Sequence, residues 1–201
     1  MTFSDWPSPL YVVDVEGNGA NPPDLVEIAA VPLTDGRPRP DQIRQWLIRP
    51  PTPIPARISR IHGITNQMTA DAPAWPEIAD EVHRTLDGAW IAAHSASVEY
   101  RVLGSHLPGW QPAGVIDTLR LAKHTAPRRS AYSLDTLLVR TGIDLSDIPG
   151  TRHRADYDAH ATARLLLHLA ERYSSFAELQ AAAVPPGMPG HPEQQPEETL
   201  W

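Results

Sequence analysis

The sequence predicts an α/β protein with a mixed five-stranded sheet flanked by helices. Three apolar stretches come first, and the links between them are too short for a crossover helix, which favours an antiparallel meander. Two further short apolar runs follow, each reached through helical patterns, so these strands should run parallel to the first. The meander and the two parallel strands together form the mixed sheet.

The first strand is predicted over residues 10–15, an apolar run interrupted by one acid, Asp14. Glu16 follows two residues later, and because side chains alternate along a strand the two carboxylates share one face, roughly 6.5 Å apart. One divalent cation can contact both. Gly17 and Gly19 then allow a sharp turn and the close approach of a ligand. A strand end whose acids face water is the alternative.

The remaining strands and the helices are assigned from apolar periodicity and from turn residues. Strands are predicted over residues 24–33, 43–48, 90–93 and 115–117. Helices are predicted over residues 56–61, 74–86, 97–107, 118–123 and 133–140, with a polar loop at 145–154.

The strongest helical pattern covers residues 156–173, with Asp156 as its expected N-cap. His153 and Asp158 are five residues apart, which on a continuous helix places them about 140° apart. They can therefore serve one site only if the helix starts between them. An ordinary exposed loop histidine is the alternative for His153.

A further acid and histidine follow the fourth predicted strand. His94 ends that strand and Glu99 lies in the first turns of the next helix. Because crossovers are right-handed, this helix begins at the sheet edge where the first strand ends, so Glu99 can approach Asp14. A solvated acid that favours the helix dipole is an equal alternative.

Length and composition predict one domain over residues 1–180 and a Pro-rich, acidic tail, 184–201, that is disordered. The chain has no cysteine, which excludes disulfides, thiolate nucleophiles and cysteine metal sites. No apolar run reaches about 18 residues, so we expect a cytoplasmic protein without a membrane segment. The terminal Leu200 and Trp201 offer a docking element for a partner, although an inert tail is favoured.

The formal net charge of −7 means that a nucleic acid would have to be held by local positive patches or by metal ions. One basic run without acids is a candidate for backbone binding, with a solvated loop as an equal alternative. It comprises Arg120, Lys123, Arg128 and Arg129.

Three segments, DVEGNG, HSASVE and HRADYD, resemble in order and spacing the three motifs of the DEDDh 3′-5′ exonucleases. This is the family of the DNA polymerase III proofreading subunit, and it has an RNase H-like fold. The segments EIAAV, IHGIT, IDTLRLAK and YSLDTLLVRTGI are also similar to the family, and the likeness covers residues 10–173.

The resemblance implies a two-metal site with Mg²⁺ or Mn²⁺ and a histidine general base, which releases nucleoside 5′-monophosphates from a single-stranded 3′ end. DNA is favoured over RNA, and a polymerase or clamp is the candidate partner for the C-terminal tail, with an inert tail as the favoured alternative. The implied metal ligands are Asp14, Glu16, Asp158 and Glu99, and the implied base is His153. The implied substrate contacts are Gly17, Asn18, His62 and His94, with a plain turn and a surface histidine as alternatives.

The sequence departs from the family pattern at substrate and metal positions. Glu99 stands where the family usually has Asp, and Ser95 where it usually has Asn. Gly17 and Asn18 replace the usual pair of threonines. Two other functions therefore remain open: a binding or scaffold module with weakened catalysis, and a phosphohydrolase acting on a small nucleotide or on a capped or adducted end.

Overall fold

A computed structural model describes residues 6–127 and 130–192 and contains a mixed sheet flanked by helices. The strands are β1 (Leu10–Gly17), β2 (Leu25–Thr34), β3 (Arg37–Pro38), β4 (Arg44–Leu47), β5 (Trp90–Ala93) and β6 (Gly114–Asp117). The helices are α1 (Ala56–His62), α2 (Trp75–Leu86), α3 (Ser97–His106), α4 (Thr118–Thr125), α5 (Leu134–Thr141), α6 (Ala155–Ala170) and α7 (Phe176–Ala183). The predicted α/β fold is confirmed, and the two-residue strand β3 adds a sixth strand between the second and third predicted strands.

The strand order is β3-β2-β1-β5-β6, and β4 pairs with β2 as well. β1 and β2 are antiparallel, with Glu16 directly opposite Glu27. β5 is parallel to both β1 and β6, with Val12 opposite Ala92 and Ala92 opposite Ile116. The carboxyl ends of β1, β5 and β6 therefore meet at one edge of the sheet, where ligands commonly bind in α/β proteins.

The two faces of the sheet form separate hydrophobic layers. Val12 packs in a layer with residues of α4, α5, α6 and α7, whereas Val13 packs in a layer with residues of α2 and α3. Because side chains alternate along a strand, Asp14 and Glu16 lie on the same face as Val12. They therefore face α6.

The start of α6 differs from the prediction. The N-cap is Arg154 and the first helical residue is Ala155, so the assignment of Asp156 as N-cap was wrong. The Arg154 side chain makes no capping hydrogen bond. Instead Glu27 of β2 accepts the backbone N–H of Ala155 at 2.9 Å. The carboxylate of a residue distant in sequence therefore accepts a backbone N–H at the start of α6, a role that a local N-cap side chain usually has.

Helix α7 was not predicted, and α6 ends at Ala170 rather than at residue 173. The signal for α7 is local: Ser175 Oγ accepts the backbone N–H of Glu178 at 3.2 Å, and Glu178 accepts the backbone N–H of Ser174 at 2.8 Å. This S-x-x-E pattern is typical of a helix start.

Residues 184–192, the first part of the expected disordered tail, contact the edge of the sheet. The backbone N–H of Val115 donates to the Pro189 carbonyl at 3.0 Å, and Gln180 Nε2 donates to the Gly190 carbonyl at 2.6 Å. Met188 packs against the second hydrophobic layer. This differs from the expected disorder, because the Pro189 carbonyl accepts a backbone N–H of the edge strand β6. Residues 193–201, with Leu200 and Trp201, lie outside the described residues.

Among the described residues, no helix combines the length and the apolar character needed to cross a membrane.

Candidate active site

Three carboxylates converge at the carboxyl end of β1. Asp14 and Glu16 project from the strand and Asp158 from the first turn of α6, and one ligand oxygen from each lies within 4.8 Å of the others. Asp158 is 9 % exposed, and its Oδ1 is buried without a hydrogen-bond partner among the residues that the structure describes. Oxygen ligands at this separation suit a hard divalent cation such as Mg²⁺ or Mn²⁺.

Glu99 approaches the same cluster from the start of α3. Its side chain is 6 % exposed, and its Oε2 is buried without a hydrogen-bond partner. Its charge raises the pKa of Asp14, after the larger effect of burial. Glu99 is not one of the three acids whose ligand atoms are mutually within 4.8 Å. Glu99 therefore lies near enough to Asp14 to act on its charge, but it is not part of the group of three.

Burial and mutual repulsion favour the protonated forms of these acids. Burial raises the pKa of Asp14 well above its usual range, and burial followed by the charge of Asp158 raises the pKa of Glu16 to about 8. Burial also raises the pKa of Glu99 to about 8 and raises the pKa of Asp158. A bound divalent cation would favour the ionised forms, because opposite charge nearby lowers a carboxyl pKa.

A buried ion pair fixes the entry to α6. Glu27 is fully buried, and its carboxylate accepts the Arg154 Nε–H at 3.0 Å together with a second bond from Arg154 Nη2. These contacts lower the pKa of Glu27 against the opposing effect of burial. Glu27 also accepts from Ala155, so one side chain joins β2 to the helix that carries Asp158. The pair could not be predicted from the sequence, because Glu27 and Arg154 lie 127 positions apart.

His153 lies on the loop directly before α6, with an exposed side chain. Its φ of 60° is in the left-handed region, which is unusual for a residue with a Cβ atom. Its backbone N–H donates to Asp158 Oδ2 at 3.1 Å. The helix start between His153 and Asp158 thus brings both residues to one place, as the sequence required.

Asp117 is a further residue that supports this edge of the sheet and was not predicted from the sequence. Its Oδ1 accepts the backbone N–H of Leu119, of Arg120 and of Ser95 at 2.8, 3.2 and 3.1 Å. Ser95 has a φ of 74°, so Asp117 holds a left-handed residue just before α3. The signal was the Asp-Thr pair at the end of the fifth predicted strand, which is typical of an N-cap.

The predicted substrate contacts near β1 are part of a tight loop. Asn18 is buried, and its Oδ1 accepts the backbone N–H of Ala20 at 3.1 Å and of Asp24 at 3.0 Å. Gly17 marks the irregularity in the β1–β2 register. Gly19 has a φ of 78°, and a Cβ there would lie 2.6 Å from Ile58 Cδ1. The Asn18 side chain therefore holds the loop that borders the acids.

The two predicted substrate histidines have internal contacts. His62 is buried, and its Nδ1 accepts the Ile64 backbone N–H at 3.0 Å. His94 is half-buried, with Nδ1 3.0 Å from Thr118 Oγ1 and Nε2 2.9 Å from the Tyr132 carbonyl. Burial lowers the pKa of both histidines. His94 therefore ties β5 to α4 and to the loop before α5, and its contact with substrate stays a prediction.

The basic run is only partly described. Arg120 and Lys123 lie on α4, beside grooves at the same edge of the sheet, whereas Arg128 and Arg129 lie outside the described residues.

Comparison with known proteins decides the family. A family model described as "Exonuclease", of the RNase T type, matches residues 11–166. The chain belongs to this exonuclease family. The family and the RNase H-like fold predicted from the three motifs are thereby confirmed.

Relatives of this exonuclease-family chain include exodeoxyribonuclease 10 of Escherichia coli K12, with 34 % identity over 174 residues, 86 % of this chain and 73 % of the relative. A DNA polymerase III subunit epsilon-like protein of Rhodobacter capsulatus is 33 % identical over 170 residues, 80 % of this chain. The chain spans 23 % of that relative and 12 % of a PolC-type DNA polymerase III of Thermotoga petrophila. The match to these longer proteins is therefore a match to one part of each.

Solved structures agree with this assignment. Exonuclease X in complex with 5′ overhanging duplex DNA has a TM-score of 0.71 and 29 % identity, and the match covers 87 % of this chain and 99 % of that one. The nuclease domain of 3′hExo, a DEDDh family member bound to rAMP, has a TM-score of 0.66 and 16 % identity, with 81 % and 92 % covered. The second match shows the fold alone.

Proposed function

We propose that the chain is a divalent-cation-dependent 3′-5′ exonuclease that removes nucleoside 5′-monophosphates from the 3′ end of DNA. The observation that carries the proposal is the convergence of Asp14, Glu16 and Asp158 within 4.8 Å. Membership of the exonuclease family supports the reaction class, and the names of two similar proteins, exodeoxyribonuclease 10 and Exonuclease X with duplex DNA, favour DNA over RNA.

The donor set fits the two Mg²⁺ or Mn²⁺ ions that the family resemblance implies. Asp158 Oδ1 and Glu99 Oε2 are buried acceptors without a hydrogen-bond partner, and such atoms are expensive to leave unpaired. Asp14, Glu16 and Asp158 would hold the first ion, and Asp14 with Glu99 would face the second. When bound, the ions stabilise the charge that develops on the attacking and leaving oxygens of the phosphodiester.

Residues of the chain would accept the proton from the attacking water and contact the 3′ end of the strand. His153, on its loop beside Asp158, would accept a proton from the attacking water at an imidazole nitrogen, because histidine is the side chain that most often serves as a general base. Attack at phosphorus then breaks the bond to the 3′ oxygen of the preceding nucleotide. The products are a nucleoside 5′-monophosphate and a new 3′ hydroxyl. The loop around Gly17 and Asn18, with His62 and His94, would border the terminal nucleotide.

The position of Glu99 favours one rival function, a binding module with weakened catalysis. Glu99 is longer by one methylene than the Asp usual in the family, and it lies outside the group of three mutually close acids. The substitution Glu99→Asp separates the two functions. A large gain in rate supports a weakened site, and a loss of rate supports a site adapted to Glu.

The proposal extends to the binding partner of the protein and to its place in the cell. We propose a cytoplasmic protein that acts with a polymerase or clamp, because relatives include DNA polymerase III proteins. The end of the tail, residues 193–201 with Leu200 and Trp201, lies outside the described residues.

The test uses two single-stranded oligonucleotides of one sequence, one labelled at the 3′ end and one at the 5′ end. With Mg²⁺ or Mn²⁺ the 3′ label should leave first, as a mononucleotide, and the 5′-labelled strand should shorten stepwise. Asp14→Asn and Asp158→Asn should each slow the reaction about 100-fold or more, since each removes several kcal/mol of charge stabilisation. Asp80→Asn, an exposed acid on α2, is the matched control. Absence of mononucleotide, or full activity in the Asp14 and Asp158 variants, would refute the proposal.

A further inference from the structure

We propose that a basic groove beside α4 binds the single-stranded substrate upstream of its 3′ end. The identity of the strand as substrate rests on the proposed function. We call the surface the α4 groove and define it by Ser97, Tyr100, Arg120, Lys123, Met188 and His191. It comprises two hollows that share Arg120.

The shape of the α4 groove suits an extended chain. The larger hollow encloses about 1000 Å³ and is lined by Tyr100, Arg120 and the segment 186–192. The smaller hollow encloses about 470 Å³ and is lined by residues of α3 and α4, among them Ser97 and Lys123. Part of the tail expected to be disordered thus forms one wall of the groove.

The groove begins beside the candidate active site. β1, β5 and β6 are neighbouring parallel strands, in which Val12 lies opposite Ala92 and Ala92 opposite Ile116. Extended by two residues, this register places Asp14 level with His94 and Thr118. Two strand spacings, about 10 Å, therefore separate Asp14 from the first residue of α4. Ser97 belongs to the same helical turn as Glu99. A strand with its 3′ end at the acids can enter the groove without crossing the sheet.

The charge of the groove is opposite to that of the whole chain. Arg120 and Lys123 form no ion pair with the described residues, and Arg120 Nε is buried without a hydrogen-bond partner. The acid on the wall, Asp117, already accepts three backbone N–H groups. Two cations without an ion-pair partner in the described part of a chain of net charge −7 are a local site for a polyanion.

The lining favours a single strand over a duplex or an acidic peptide. Half-buried Tyr100, whose ring packs against Trp110 at a centroid distance of 5.6 Å, lines the larger hollow together with Arg120. Proteins that bind single strands combine a basic groove that follows the phosphates with aromatic rings on which bases stack. The carboxylates of an acidic peptide could pair with the two cations, but they would not stack on the ring of Tyr100 as a base does.

The experiment measures binding of fluorescein-labelled dT12 by fluorescence anisotropy in EDTA, at several NaCl concentrations. The double variant Arg120→Gln/Lys123→Gln should weaken binding about tenfold or more at low salt. The slope of log K against log[NaCl] should shrink by about 1.4, that is about 0.7 for each phosphate contact. The matched control is Arg44→Gln/Arg84→Gln, two exposed arginines on β4 and α2, and it should keep the wild-type affinity and slope.

Thermal unfolding checks that the double variant folds. If it does not, Lys123→Gln alone changes an exposed residue and should reduce the slope by about 0.7. An unchanged slope in the folded variant, an equal loss in the control, or equal affinity of the groove for a poly-glutamate peptide would overturn the inference. Binding with the expected slope but no hydrolysis with Mg²⁺ or Mn²⁺ would refute the proposed function and leave the groove in place.

Discussion

Replacing Glu16 by Gln should make the metal-free protein less sensitive to alkaline pH. Burial, followed by the charge of Asp158, raises the pKa of Glu16 from 4.5 to about 8. Between pH 4.5 and about pH 8, the Glu16 carboxyl keeps its proton in the folded protein and loses it in the unfolded chain. Stability therefore falls as pH rises, and the fall continues until the pH has passed the folded-state pKa.

The size of the effect follows from the pKa values. Between pH 7 and pH 9, a carboxyl with a folded-state pKa of about 8 destabilises the folded state by about 1.4 kcal/mol more. Glu16 and Glu99 together would give about 3 kcal/mol. Glu16 is partly exposed, and solvent screening reduces its share, so we expect a total of about 2 kcal/mol. The histidines whose pKa is lowered are largely neutral in both states above pH 7 and add little.

The assay is urea unfolding in EDTA at pH 7, 8 and 9. The wild type should lose at least about 2 kcal/mol over this range, because Asp14 adds to the loss, and Glu16→Gln should lose about 0.6 kcal/mol less than the wild type. The control Glu81→Gln changes an exposed acid on α2 and should behave as the wild type. Added Mg²⁺ should remove the loss in the wild type, because metal binding requires deprotonated ligands. Stability that stays constant or increases from pH 7 to pH 9 in EDTA would refute the reasoning.

Three further substitutions test the supports of the site, each by urea unfolding. Glu27→Gln leaves Arg154 partly buried without its counter-charge and should lower the free energy of unfolding by about 3 kcal/mol; a loss under about 1 kcal/mol would show that the pair contributes little. Asp117→Ala removes the acceptor of three backbone N–H groups and should cost about 1–2 kcal/mol, with Asp87→Ala, a residue at the end of α2, as the comparison. Gly19→Ala places a Cβ 2.6 Å from Ile58 at a φ of 78°, and should cost about 1–3 kcal/mol, whereas Gly88→Ala has a similar φ of 67° and open space. Equal losses at Gly19 and Gly88 would show that backbone strain alone, and not the contact with Ile58, is responsible.

The sheet and most of the helices were predictable because their signals are local. The apolar runs that form β1, β2, β5 and β6 and the turn residues between them gave the correct strand directions. The convergence of Asp14, Glu16 and Asp158 was also predictable, because the resemblance of the three motifs to the exonuclease family implies it.

The features that escaped prediction depend on contacts between distant residues. Glu27 and Arg154 are separated by 127 positions, so no local pattern could show that a strand carboxylate caps α6 in place of Asp156. Residues 184–192 have the composition of a disordered tail, but they lie along the edge strand β6, where the backbone N–H of Val115 donates to the Pro189 carbonyl. The internal partners of His94 are likewise set by β5, α4 and the loop at Tyr132 meeting in three dimensions.

Binding of Mn²⁺, followed by the electron paramagnetic resonance signal of the free ion, tests the cation cage most directly. We expect wild-type protein to remove Mn²⁺ from solution, Asp14→Asn and Asp158→Asn to bind at least about tenfold more weakly, and Asp80→Asn to bind as the wild type does. Wild-type protein that leaves the Mn²⁺ signal unchanged, or that binds no better than the Asp14 and Asp158 variants, would contradict the assignment of these carboxylates as metal ligands.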